Sequence, residues 1–168
     1  YTTLMHIMDD CGARVLFASG DFANEAARLG RDVEGLEHVI LMDAEMEGTT
    51  DYDSWLMAQS SDRFVEVVPD EAIASISYTS GSTGKPKGVL LTHAAMVWST
   101  RNLRRALLFG PDERCLLAVP MFHANGMFAG LFSMLESGGS TVILHDVDPV
   151  EMIEVIAKER CTYTTGVP

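Results

Sequence analysis

From Ala13 onward, short runs rich in β-branched and apolar residues alternate with segments whose apolar positions recur at helical spacing. Strands separated by helices pair through crossover connections, so the alternation confines the chain to the α/β class with a largely parallel sheet. The predicted strands are Arg14–Phe17, His38–Met42, Ile73–Tyr78, Val89–Leu91, Cys115–Val119, Thr141–Leu144 and Thr162–Thr165. Leu4, Ile7, Met8 and Cys11 keep one helical face, so the chain opens inside a helix. Thr92 is expected to cap a helix reaching about Leu108, with Met96, Leu103 and Leu107 on one face and Arg101, Arg104 and Arg105 solvated opposite. Asp148-Pro149-Val150-Glu151 spells a helix start: a cap, a proline at the first helical position and an acid three residues after the cap. Lys158, four residues after Glu154 on that helix, is read as an ordinary surface pair. The acidic stretch Asp43–Asp70, with a short helix over Tyr52–Ala58, reads as a surface connection.

With 168 residues, 47% of them apolar, there is room for one domain core and not comfortably for two. The chain opens without Met and stops at Gly166-Val167-Pro168 directly after a strand, so residues 1–168 are read as a single partial domain, truncated at both ends. A net charge of −12, from 24 acidic and 12 basic residues, argues against a nucleic-acid or anionic-membrane partner. An anionic ligand therefore needs a local cationic pocket. Cys11, Cys115 and Cys161 are odd in number and far apart, which points to a reducing compartment, read as the cytoplasm. No apolar run approaches the roughly 18 residues of a spanning helix, and no basic leader precedes a hydrophobic stretch.

That cationic pocket has one candidate. Tyr78–Val89 reads Y-T-S-G-S-T-G-K-P-K-G-V and holds Lys85 and Lys87, two of the three lysines in the chain. Glycines at 81, 84 and 88 allow positive φ and close backbone approach, so successive N–H groups can converge on one point. Thr79, Ser80, Ser82 and Thr83 add hydroxyl donors. Such a set suits the many acceptor oxygens of a di- or triphosphate, with a lysine neutralising part of the charge. The bland alternative is a hairpin turn whose lysines keep an edge soluble. A P-loop is excluded, because it requires G-x-x-x-x-G-K-[ST] opening directly into a helix. Here Pro86 follows the first lysine, and Val89-Leu90-Leu91 interposes a strand. G-x-G-x-x-G is absent as well.

The run closely resembles the phosphate-binding signature of the adenylate-forming enzymes, the superfamily of acyl-CoA synthetases, luciferases and peptide-synthetase adenylation domains. The resemblance implies a loop between two strands that wraps the phosphates of ATP through Thr79, Ser80, Gly81, Ser82, Thr83, Gly84 and Lys87. Lys87 stands at the family's lysine position and Lys85 at a variable one. A second segment, Pro120-Met121-Phe122-His123-Ala124-Asn125-Gly126, follows a predicted strand, where open α/β sheets collect ligands. A lone histidine is more often a capping or core residue. The segment is nevertheless similar to the family's P-[LM]-F-H pattern, and Lys87 and His123 stand 36 positions apart, in agreement with its spacing. That implies His123 and Gly126 at the carboxylate and acyl pocket, with Lys87 and His123 as the catalytic pair. Gly138-Gly139-Ser140-Thr141-Val142 through Gly166-Val167-Pro168 is similar to the family segment ending in G-V-P, which implies Gly166 beside the same pocket.

The reaction implied is attack of a carboxylate on the α-phosphorus of ATP, then thiol capture by coenzyme A; Phe122-His123-Ala124-Asn125-Gly126 resembles fatty-acyl or aryl CoA ligases, and a fatty acid is the substrate expected, with an aryl acid left open. Mg²⁺ is implied too, its glutamate expected beyond residue 168. No Y-G-x-T-E, no T-G-D and no small C-terminal domain with its lysine occur in these residues, so the segment alone is expected to be inactive. Two readings from other classes stay open: a non-catalytic nucleotide- or phosphate-binding module, and a phosphotransferase with an unusual loop.

Overall fold

The apolar runs form two parallel three-stranded sheets and one two-stranded ribbon in the computed structural model, which describes residues 1–81, 84–145 and 147–166. These residues cluster into two compact units: Tyr1–Pro69 with Ile73–Leu91, and Asp70–Ala72 with Thr92–Pro168.

The first unit begins with α1 (Thr2–Cys11), which ends at Gly12 in the left-handed region, φ 62. β1 (Val15–Ala18) and β2 (His38–Leu41) pair in parallel, with Val15 opposite His38. Between them α2 (Ala23–Asp32) buries Ala23, Ala26, Ala27 and Leu29. Leu29 and Ala26 meet Val33, Leu36, Val39 and Leu41 in a core that Met5 and Met8 of α1 also join. The expected α1 face was Leu4, Ile7, Met8 and Cys11, but Leu4 is exposed, so the buried stripe is shifted by one residue.

The stretch Asp43–Asp70 is more than a surface connection. Thr50–Asp51 adds a third parallel strand, β3, against Ile40 and Leu41. Asp51 then caps α3 (Tyr52–Met57) by accepting the Ser54 N–H at 2.8 Å, and Tyr52 and Trp55 pack edge-on against Phe17. The unit closes with β4 (Ile73–Thr79) and β5 (Lys87–Thr92), which pair with each other. Neither strand has a fully buried residue.

In the second unit α4 (His93–Leu107) starts as expected, Thr92 Oγ1 accepting the Ala95 N–H at 3.1 Å. Its buried residue is Thr100, and Leu107 is exposed, so the inward stripe runs through Met96, Thr100 and Leu103. Arg101 and Arg104 are exposed but not simply solvated, since both reach Glu136, at 3.2 and 3.9 Å. β6 (Arg114–Leu117) lies between β7 (Ser140–Ile143) and β8 (Tyr163–Thr165), parallel to both. As the central strand it is buried on both faces, which explains its run of Cys115, Leu116 and Leu117. Between β6 and β7 the chain forms a π-helical segment, Asn125–Phe132, continued by α5 (Ser133–Ser137). α6 (Pro149–Glu159) begins at the expected cap, with Asp148 Oδ1 accepting the Val150 and Glu151 N–H groups at 2.9 Å each. Lys158 does not pair with Glu154. Its ammonium lies 3.7 Å from Glu159, its neighbour in the chain.

Candidate functional site

The glycine-rich run occupies the first unit. Tyr78 and Thr79 end β4, the connection spans 80–86, and Lys87 opens β5, so the loop is held between paired strands. Gly81 has φ 61, and a Cβ there would lie 2.2 Å from the Lys85 carbonyl oxygen, so only glycine lets the loop fold back this tightly. Gly84 (φ 84) donates its N–H to the Gly81 carbonyl at 3.5 Å. That Cβ position is 3.7 Å from Lys87 Cγ, so the lysine stem runs alongside Gly81. Thr79, Ser80, Gly84, Lys85 and Lys87 are exposed, while Ser82 and Thr83 lie outside the described residues. Among the described residues neither Lys85 nor Lys87 has a carboxylate partner. The loop thus presents two uncompensated cations beside hydroxyls and a glycine turn, an arrangement suited to an anion rich in oxygen acceptors.

A residue pair that the sequence did not reveal links the end of β4 to α1. Tyr78 Oη donates to Asp10 Oδ2 on α1 at 2.5 Å. That hydrogen bond, with burial and the carboxylate charge adding to it, pushes the phenol up to about 12.

The histidine segment occupies the second unit, directly past the carboxyl end of β6 and between the ends of two flanking strands. The Pro120 carbonyl accepts the His123 N–H at 3.1 Å, and the His123 carbonyl accepts from Met127 at 3.0 Å, turning the chain into the π-helical segment. The exposed His123 ring lies against Phe122, centroids 4.8 Å apart. A cleft of about 380 Å³ is lined by Val119, Pro120, His123, Ala124 and Asn125. Gly126 is buried, and a Cβ there would stand 2.5 Å from the Pro120 carbonyl oxygen, so the helix start presses on the loop it follows. π-helical turns are rare and concentrate at functional sites.

Asn125 was not singled out from the sequence, yet it joins this segment to β8. Its Oδ1 accepts from Thr165 Oγ1 at 2.8 Å, and its Nδ2 donates to the Gly166 carbonyl at 3.4 Å. The structure therefore brings His123, Gly126 and Gly166 to one end of the β7-β6-β8 sheet, whereas Lys87 belongs to the first unit. Val167 and Pro168 lie outside the described residues. Among the described residues no group of three or more His, Cys, Asp or Glu side chains could hold a metal ion, and no helix is long and apolar enough to cross a membrane.

Residues 2–168 match the family model described as AMP-binding enzyme. The chain is 34% identical over 166 residues to indoleacetate–CoA ligase of Aromatoleum aromaticum, covering 96% of this chain and 32% of that protein. It is 41% identical over 97 residues to feruloyl-CoA synthase of an Amycolatopsis species, covering 57% and 20%. Among solved structures, ATP-bound MatB from Rhodopseudomonas palustris superimposes with a TM-score of 0.84 at 25% identity, covering 98% of this chain and 32% of that one. The chain thus spans about a third or less of the length of these proteins.

Proposed function

The chain belongs to the AMP-binding enzyme family, and from that premise we propose that it is part of an ATP-dependent acid–thiol ligase. In this reading residues 1–168 are one partial AMP-binding domain, and a small C-terminal domain follows further along the polypeptide. The observation that carries the reading is the family match over residues 2–168, within which the T-S-G-S-T-G-K-P-K-G run stands between two paired strands.

The loop binds the phosphates of ATP through Thr79, Ser80, Gly81, Ser82, Thr83, Gly84 and Lys87. A carboxylate oxygen of the substrate attacks the α-phosphorus, the bond to the bridging oxygen breaks, and pyrophosphate leaves with the electron pair. Negative charge grows on the departing phosphates as that bond breaks. In this reading Lys87 and the loop amides offset it, so this side of the site contributes positioning and electrostatic stabilisation. His123, Gly126 and Gly166 border the acyl group, and coenzyme A then captures the acyl adenylate through its thiol, releasing AMP. The Mg²⁺ implied for such a reaction has no ligand set among the described residues.

A fatty acid is the substrate proposed, within the fatty-acyl and aryl CoA ligases that the Phe122-His123-Ala124-Asn125-Gly126 segment resembles. The indoleacetate and feruloyl relatives bring aryl acids into the range to be tested. The three free cysteines agree with a cytoplasmic setting. The test is acid-dependent exchange of labelled pyrophosphate into ATP by the full-length enzyme across medium-chain, long-chain and aryl acids. A preference for fatty acids in the exchange, with AMP released once coenzyme A is added, supports the whole reading; exchange with aryl acids alone removes the fatty-acid part, and ADP as product overturns the reaction class. The isolated segment is expected to show no exchange.

A further inference from the structure

The strands that carry the loop have no core of their own. Neither β4 nor β5 has a fully buried residue, and a two-stranded ribbon is marginal in water by itself. Yet the ribbon must hold Lys87 and the loop backbone in one geometry if they are to meet a ligand. One side chain reaches from it to a fixed element. Tyr78 lies over Gly88, the residue after Lys87, where a Cβ would meet Tyr78 Cζ at 3.2 Å, its hydroxyl at 3.4 Å and Ile76 Cγ2 at 2.8 Å. The missing side chain is what lets the ring cross β5 there. Beyond it the hydroxyl meets Asp10 Oδ2, 68 positions away in the chain. Asp10 sits in the last turn of α1, a helix seated on the core through Met5 and Met8. An acid at that end opposes the helix dipole, and no basic residue in that turn compensates it. Its placement is accounted for by the hydrogen bond it accepts, and the phenol remains a donor across neutral pH.

We propose that Tyr78 and Asp10 are a positioning pair: the phenol–carboxylate hydrogen bond, laid across the bare backbone of Gly88, fixes the β4–β5 ribbon in the geometry that presents Lys87 and the loop amides to the phosphates. Neither residue touches ATP. The inference rests on the ATP reading given above, and its test separates the two.

Tyr78→Phe, Asp10→Asn and the double variant are made in the full-length enzyme, and acid-dependent pyrophosphate exchange is measured against ATP and against the acid. Each single variant should raise the KM for ATP roughly tenfold, the scale of losing one charge-assisted hydrogen bond, with the KM for the acid unchanged. The double variant should be no worse than the worse single one, because the two groups act as one unit. Gly88→Ala, which displaces the ring while keeping both partners, should shift the KM for ATP in the same direction. A wild-type KM for ATP in Tyr78→Phe would overturn the proposal. So would losses that multiply in the double variant, or a fall in maximal rate at constant KM, the mark of fewer folded molecules. If the unaltered enzyme shows no exchange with any acid, the ligase reading fails and the pair is judged by amide hydrogen exchange over residues 79–88. Faster exchange there in Tyr78→Phe upholds the pair, and equal exchange rejects it.

Discussion

Gly126→Ala adds a single methyl group at the most constrained point of the histidine segment. The new Cβ would lie 2.5 Å from the Pro120 carbonyl oxygen, 3.1 Å from its carbon and 3.2 Å from Val119 Cγ2. Ordinary contact begins at 3.4 Å, so the carbonyl and the helix start must part by about 0.9 Å, the difference between 3.4 and 2.5. Two of these neighbours are backbone atoms, which cannot step aside as a side-chain tip does. Overpacking of this kind costs about 1–3 kcal/mol, and replacing a helical glycine by alanine returns about 1 kcal/mol. The expected net loss is about 0–2 kcal/mol. The same carbonyl accepts the His123 N–H at 3.1 Å, so its displacement carries His123 with it. In the full-length enzyme the KM for the acid should rise about tenfold, an energy of about 1.4 kcal/mol, with the KM for ATP unchanged. Gly130→Ala is the control: its Cβ would meet Leu117 Cδ1 at 2.4 Å in the core, away from the loop. Both variants should melt at lower temperature by calorimetry, and only Gly126→Ala should change the acid KM. A melting loss in Gly126→Ala with a wild-type KM, or a gain in stability, would refute the reasoning.

Lys87→Ala should slow pyrophosphate exchange more than Lys85→Ala, since Lys87 passes beside Gly81 at the loop's fold; equal losses or the reverse order would contradict its assigned role. Asp148→Ala removes the acceptor of two N–H groups at the start of α6 and should cost about 1 kcal/mol in chemical denaturation, with Asp148→Asn close to wild type. Burial pushes the Cys115 thiol from 9.0 up to about 11. The folded state holds this proton more tightly than the unfolded chain does, so the stability is intact below pH 9.0 and is lost as the pH climbs toward about 11. A pH series of melting temperatures should fall less steeply over that window in Cys115→Ala; parallel curves would count against it.

Strand positions were legible where packing and alternation coincide. His38–Leu41 and Tyr163–Thr165 fall within one residue of the predicted His38–Met42 and Thr162–Thr165. The Thr92 and Asp148 caps were readable because the chemistry of a cap is local to its own turn. β3 was not, since its two residues, Thr50 and Asp51, are ordered by pairing with Ile40 and Leu41 rather than by any pattern of their own. Nothing in the spacing announces a π-helical turn, although Gly126, Ala129 and Gly130 give it a small-residue face against Pro120 and Leu117. The glycine loop and the histidine segment were visible as motifs, whereas the groups that anchor them, Asp10 for Tyr78 and Thr165 for Asn125, lie 68 and 40 positions away. Lys158 shows the same limit from the other side: helical spacing offered Glu154, and side-chain reach chose Glu159.

The bond from Thr165 to Asn125 makes the width of the cleft beside His123 a property of β8 as well as of the loop. Thr165 does not line that cleft, yet it sets where Asn125 stands and therefore where the cleft ends. On the proposed reading of this cleft as the acyl pocket, a substitution at a strand residue retunes which acids fit without altering any atom that meets them. On that reading, a library that diversifies only the lining positions would omit one of the controls on specificity, and two homologues with identical lining residues need not share a substrate.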